Sequence, residues 1–357
     1  MTRKLTLLLI VGLFLTLTIT ACGESNSSNP PSSQPEPSET NNQAEDNSPL
    51  NITMAGASAG GLTQIIGEGF AKTVRTEYPG STISYEPGGV TDSVLRVASG
   101  EAEMAVAPSI VDVQLALKGI APYEKAYNNN EFYVLAKGDV GSAAHIIMRK
   151  EFAEKHGITS VADIAKKKVP LRISINKPGN FGVQKPAREF LKQSGVSIED
   201  IESFGGEVIN GGSSTIVKLM KDKKLDMFIT HGFPPHGKFL DLASTTDLIM
   251  LKTDEEAVQK TIEAWNLSPY TFEAGVYDFV TEQIEGYAKD DYLLISSQVS
   301  DEVAYKLAKA YVKNFDQFRQ ADPDFNDLKL EEMLNIDSSL TFHPGAKKYY
   351  EEQGLIK

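Results

Sequence analysis

Six short segments rich in Gly, Ser, Thr and Asn carry most of the chemistry that this sequence offers. They are 56–61 (GASAGG), 87–91 (PGGVT), 108–109 (PS), 176–182 (NKPGNFG), 210–215 (NGGSST) and 230–235 (THGFPP). Glycine lets the main chain come close to a ligand. Free N–H groups at a helix start, with the positive end of the helix dipole, favour a carboxylate or a phosphate. The residues expected to touch such a ligand are Ser58, Ala59, Gly60, Gly89, Thr91 and Ser109 from the first three segments. From the other three they are Asn180, Phe181, Ser213 and His231.

Other chemistries fit less well. Ser58 follows a strand, but Ala57 and Ala59 flank it where a nucleophile elbow needs glycines. An exported hydrolase built on Ser58 would also need a base, and His145, His156, His231, His236 and His343 stand in no recognisable pattern with it. His231 and His236 lie five apart with Pro234 and Pro235 between them, and no Cys, Asp or Glu completes a local metal set. His231, at a strand end, is read instead as facing the ligand. No GxGxxG or GxxxxGKS spacing occurs, so neither a nucleotide nor any other cofactor is implied. No catalytic residue is assigned.

The segments gain meaning from the elements that hold them. Asn51–Ala55, Thr82–Tyr85 and Met104–Ala107 are strand candidates, with helices from Leu62 to about Tyr78 and from about Thr91 to Ser99 between them. Gly100 is placed to end the second helix. The same grammar returns with strands at Leu171–Ile175, Glu207–Ile209 and Leu225–Ile229, and a helix over about Val183–Gln193. Pro186 fits that helix only in its first turn. Strands alternating with helices imply parallel βαβ units. The stretch from Gly88 also lies over the stretch from Gly211 without a gap: Gly89 meets Gly212, Val97 meets Met220 and Met104 meets Met227. Two similar α/β lobes are the economical picture. In such sheets the ligand sits at the strand C-terminal edge, where all six segments fall.

Cys22 is the only cysteine. It comes after Arg3, Lys4 and the apolar run Leu5–Ile19, an arrangement that reads as an export signal. Ile19-Thr20-Ala21-Cys22 resembles the bacterial lipobox, in which the cysteine is cut free and acylated. Residues 1–22 are therefore read as a lipoprotein signal, with the mature protein outside the cytoplasm and tethered to a membrane. Residues 23–48 hold no Lys, Arg, aromatic or large aliphatic residue and read as a disordered acidic linker. The body beyond the linker has roughly 310 residues, enough for two domains and a full core. The net charge of −13 argues against nucleic acid as a partner and means that any pull on an anion must be local.

From about Asn51 to Gly354 the chain resembles the TAXI group of solute receptors that serve TRAP transporters. The likeness rests on the Gly56–Gly61 and Gly88-Gly89 loops, Ala98-Ser99-Gly100-Glu101-Ala102, and Val161-Ala162-Asp163-Ile164. It rests further on Leu225-Asp226-Met227-Phe228, Gly232-Phe233-Pro234, and Phe342-His343-Pro344-Gly345-Ala346, with Tyr349-Tyr350 close behind. The resemblance implies a type II periplasmic-binding-protein fold, each lobe a mostly parallel sheet flanked by helices. It implies lobe I from 49–149 and 251–357 and lobe II from 150–250, with Tyr277 and Tyr292–Ser296 in a crossing segment. It also implies a monomeric, non-enzymatic receptor that takes a small organic anion, a carboxylate or a glutamate-like amino acid, to a TRAP-type permease. A ligand-sensing subunit of a membrane signalling system would use the same binding chemistry. Val90 and Ser93 depart from the family's Gly-Gly-Ser loop, and Asn180-Phe181 from its Pro-Gly-Ser-Gly-Thr, which points to a narrower, more aromatic pocket.

Overall fold

Short β-branched and apolar runs become strands here, and the amphipathic runs between them become covering helices. The computed structural model describes residues 47–57, 59 and 62–357. The signal with Cys22, the linker up to residue 46, and Ser58 and Gly60 lie outside the described residues. The first three strands are β1 (Asn51–Gly56), β2 (Thr82–Pro87) and β3 (Met104–Ser109). β1 pairs in parallel with both of the others. Parallel neighbours need crossovers, and the helices Leu62–Glu77 and Val90–Ser99 supply them. They bury Ile66, Phe70 and Val74, and Val94 and Val97, against the sheet. Gly100 ends the second helix at φ 78, and its N–H donates to the Arg96 and Val97 carbonyls.

The remaining strands are β4 (Phe132–Arg149), β5 (Arg172–Ser174), β6 (Glu207–Val208), β7 (Met227–Gly232), β8 (Leu248–Met250), β9 (Ser268–Phe272) and β10 (Ile284–Ser296). The sheet order is β2-β1-β3-β10-β4-β7-β5-β6, with β8 on β4 and β9 on β10. The order is close to symmetric. A parallel triad, β2-β1-β3, meets β10 antiparallel, and a second parallel triad, β6-β5-β7, meets β4 antiparallel.

β4 and β10 are long because each serves both halves. β10 pairs with β9 over Ile284–Ala288 and with β3 from Asp291 onward. β4 begins with Phe132 opposite Ser296 of β10 and ends with Ala143–Met148 on β7. The ladder between them is irregular at Lys289/Asp291 and at Asp291/Tyr292. Such irregularities bend and twist a strand locally. The chain passes between the two triads inside β4 and β10, near residues 138–143 and 288–291. Phe272, Tyr277, Val280 and Ile284 pack with Ile147 and Phe228 of the second half. Tyr277 is thus a core residue there, its hydroxyl 2.8 Å from His145 Nε2, and no part of a crossing strand.

Several sequence motifs prove to be structural. Asp226, 1% exposed, receives the Arg149 guanidinium at 2.5 Å and that of Arg172 at 2.6 Å, tying β4 and β5 to the start of β7. Burial works to raise its pKa, but the two guanidinium groups outweigh this and hold the carboxyl below its ordinary range. His343 caps the helix Pro344–Glu352 by accepting from the Gly345 N–H at 3.2 Å. A side chain on Gly345 would collide with the Asp301 backbone, so glycine is what lets that helix dock on the helix Asp301–Lys313. Asn314 divides the helical stretch near the C-terminus into Asp301–Lys313 and Phe315–Arg319. Pro186 is also not where its first-turn reading put it. The helix starts at Phe181, so Pro186 lies inside and withholds the N–H that would meet the Gly182 carbonyl.

Candidate functional site: a cavity between the two halves

The C-terminal ends of β1, β2, β3, β5 and β7 open on one cavity of about 390 Å³. Ala57, Gly88 and Ser109 line it from the first half, and Asn176, Gly212 and His231 from the second. Ser142 of β4 and Lys289 and Asp291 of β10 form its floor, where the halves exchange chain.

Three helices begin at this cavity without a side-chain cap. Their N-cap residues are Gly89, Asn180 and Gly212, for the helices Val90–Ser99, Phe181–Gln193 and Ser213–Lys221. Elsewhere Asp254, Ser300 and His343 cap the helices that start at Glu255, Asp301 and Pro344. A helix start leaves its first N–H groups in need of acceptors, and a side-chain oxygen is the usual remedy. At three of the helix starts on the cavity that remedy is missing, while Ser109 caps a fourth, so three sets of donors are left beside the space a solute would fill. The gapless alignment of Gly88 with Gly211 is realised in three dimensions: Gly89 and Gly212 are equivalent extended N-caps, and β3 and β7 start at Met104 and Met227.

The floor is charged. Lys289 Nζ pairs with Asp291 Oδ1, and both residues are buried. Asp139, fully buried, accepts from the Asp291 N–H at 3.2 Å through Oδ1, while its Oδ2 has no partner among the described residues. Burial, and then the charge of Asp291, push the Asp139 carboxyl well above its usual range. Burial also works against the Lys289 charge, but Asp291 and Asp139 outweigh it and hold the ammonium above the ordinary lysine range. Lys137 makes a matching pair with Asp290 at 2.7 Å, and Asp290 accepts from the Gly141 N–H at 3.1 Å. Both exchange strands thus carry a lysine and a carboxylate at the point where they bend.

The walls add neutral groups. Both ring nitrogens of His231 are buried without a partner among the described residues. Burial, with Lys289 and His145 nearby, holds its imidazole well below the ordinary histidine range, so it stands neutral at pH 7. Asn176 Nδ2 donates to Thr230 Oγ1 at 3.0 Å, and both residues line the cavity. Ala107 (φ 56) and Asn176 (φ 76), at the ends of β3 and β5, hold left-handed backbone that a non-glycine residue seldom takes. Both face the cavity, where such strain tends to be kept for function.

The expected residues divide. Gly89, Ser109, Asn180, Ser213 and His231 line the cavity. Ala59 is an exposed turn residue and does not. Thr91 sits in the first turn of its helix, but Val90 is the residue that reaches the cavity. Phe181 opens its helix and packs partly buried on the core, so the pocket gains no aromatic wall from it. Ser58, Gly60 and the lipidation residue Cys22 lie outside the described residues. Two positive side chains, Lys289 and Lys177, are also in the lining. Asp112, Asp139, Lys289 and Asp291 stand outside the expected set. For the last three the signal is Lys137-Gly138-Asp139 and Lys289-Asp290-Asp291 inside otherwise apolar strands, since buried charges need a purpose and a partner.

No helix among the described residues is long and apolar enough to cross a membrane. PhnD1 of Prochlorococcus marinus, solved with methylphosphonate, superposes with a TM-score of 0.53 at 11% identity, covering 86% of this chain and all of that one (100%). The lactococcal OpuAC with glycine betaine gives 0.47 at 13% identity over 85% of this chain and 96% of that. The nitrate-binding protein NrtA of Synechocystis gives 0.46 at 10% identity over 80% and 69%. At such identities the likeness is one of fold. In sequence, the NMT1-like family matches residues 54–354, from β1 to the residue just past the last helix. The chain therefore belongs to the NMT1-like family and has the two-lobed architecture of periplasmic solute-binding proteins.

Proposed function

We propose that the protein is an extracytoplasmic receptor that holds one small organic anion between its two lobes and passes it to a TRAP-type permease. The observation that carries this reading is the convergence of three uncapped helix starts and the Lys289 ammonium on one cavity. Each helix start offers N–H donors and about half a positive charge. Together they can satisfy a carboxylate in a chain whose net charge is −13. A volume of about 390 Å³ is within the range of small-molecule sites.

The chemistry is binding alone. Helix N–H groups take the anionic end beside the Lys289–Asp291 pair, and His231, Asn176 and Thr230 read its polar remainder. Gly138 and Gly141 of β4 and the irregular stretch Lys289–Asp291 give the exchange strands room to bend, so the lobes close over the solute about that hinge. No group is placed as a nucleophile, and the reading assigns no bond-breaking step. Acylation at Cys22 keeps the receptor beside the permease. The Cys22→Ser protein is expected to leave the membrane fraction.

A thermal-shift panel of small carboxylates and amino acids tests the reading. A ligand that binds only the folded state adds about 2.7 kcal/mol at a hundred times its Kd. At least one member of the panel should raise Tm by several degrees. A panel with no shift contradicts the anion-receptor reading.

A further inference from the structure

Asp112 stands where the two lobes touch. It is the third residue of the helix Ile110–Lys118 and is 3% exposed. Its Oδ2 accepts from Ser109 Oγ at 2.5 Å and from the Ser109 N–H at 3.1 Å. Its Oδ1 is buried without a partner among the described residues, although Asp112 lines the cavity. From the other lobe Gly182 is laid on it so closely that a methyl group there would be 3.2 Å from Asp112 Oδ2.

The charges that act on Asp112 come from β10. Lys289 favours its ionised form and Asp291 opposes it. Asp139 of β4 sits behind that pair, and the Tyr123 phenol lies near Asp112 from the loop after its own helix. His231 of β7 and Lys177 of the loop after β5 line the same cavity. The part of the helix Phe181–Gln193 that touches Asp112 is the uncharged Gly182. Burial is the largest effect, and it pushes the carboxyl up to about 6.

We propose that Asp112 takes up one proton as the anion is captured, and that its Oδ1–H then donates a hydrogen bond to the ligand. The proposal rests on the anion-receptor reading above. An anion drawn in by three helix starts and Lys289 must come to rest near a bare carboxylate oxygen. In a closed, poorly hydrated cavity two like charges at that range oppose each other strongly. One proton from solvent converts the repulsion into a hydrogen bond and also satisfies the lone Oδ1. Only the proton is consumed, and it returns to solvent on release.

Linkage sets the sign. The free protein holds this proton only below about pH 6, whereas the complex holds it to higher pH. Affinity should therefore fall about tenfold per pH unit above about pH 6 and level off below it. In Asp112→Asn the carboxamide oxygen keeps the Ser109 bonds, and its NH₂ supplies a donor at every pH.

The test is calorimetric titration with succinate, pyruvate, 2-oxoglutarate and L-glutamate at about pH 5.5 and about pH 8. Bis-Tris and Tris serve as buffers because neither is an anion. The tightest binder is expected to bind about eighty-fold tighter at the lower pH. At about pH 7.2, where both buffers hold the pH and the free protein has given up the proton, the difference in heat between them should report about one proton taken up per ligand. Asp112→Asn should bind at the higher pH as the natural protein does at the lower, with no pH dependence. Affinity that ignores pH, or that weakens as pH falls (the mark of an ammonium group on ionised Asp112), overturns the proposal and leaves the receptor reading intact. If none of the four binds at either pH, the receptor reading fails and this proposal with it. Should Asp112→Asn not fold, the proton count on the natural protein decides.

Discussion

A methyl group on Gly182 would collide with the Ser109 hydroxyl. The helix that starts at Phe181 in one lobe thus rests directly on the helix start at Ser109 in the other, and only a glycine permits that approach. Lobe contact and the ligand cavity are the same place in this molecule, because Gly182, Ser109 and Asp112 all line it.

Gly182→Ala should therefore act on closure and spare the fold. Overpacking at a tight contact costs on the order of 1–3 kcal/mol. Here hinge opening can relieve it, so the loss should appear as affinity weakened about tenfold to a hundredfold, with the ligand-free Tm changed by little. Titration and melting of the same variant check both halves of the statement.

Asp112 should be a liability for stability at neutral pH. Its folded pKa of about 6 lies above the ordinary value of 3.8. The favourable contribution is complete below the unfolded value and is lost as pH rises through about 6. Asp112→Asn should then be more stable than the natural protein by about 2 kcal/mol at pH 7, with the difference vanishing near pH 4. Urea unfolding across that range measures it.

Lys289 is the cation for two buried carboxylates. Lys289→Met should cost about 3–5 kcal/mol at pH 7, since removing one partner of a buried pair leaves charge uncompensated. Because the Asp139 carboxyl, already pushed well above its usual range by burial, can then be neutralised by a proton, part of the loss should return as pH is lowered. An equal loss at every pH would show packing, not charge, at fault.

Asp226 separates fold from function. With Arg149 and Arg172 on its two oxygens, Asp226→Ala should destabilise by about 3–5 kcal/mol. It does not line the cavity, so affinity measured below the melting range should change by less than about twofold.

The sequence made the parallel triads legible because their apolar runs, glycine loops and helices repeat with simple periods. The gapless pairing of Gly88 with Gly211 even located two equivalent helix starts. It could not show the floor of the site. Lys289 and Asp291 sit in a strand that reads as apolar, and their role appears only when β4 and β10 lie side by side. Asp112 reads as an ordinary capping-box residue, which it also is, and nothing local reveals that Gly182 of the other lobe seals it. In the opposite direction, Phe342-His343-Pro344-Gly345 and Leu225-Asp226 stood out as motifs, yet they serve helix docking and strand anchoring. The passage between the triads is silent for a related reason: the chain crosses inside the long strands β4 and β10, where no turn residue marks the change.

The central claim is that a small anion lies on the three helix starts between the lobes. The most direct measurement is a crystal structure of the protein with the panel compound that raises Tm most. The account predicts a carboxylate within about 3 Å of first-turn N–H groups of the helices beginning at Val90, Phe181 and Ser213, enclosed by both lobes. A cavity filled by water alone, with that compound bound elsewhere on the surface, would contradict it.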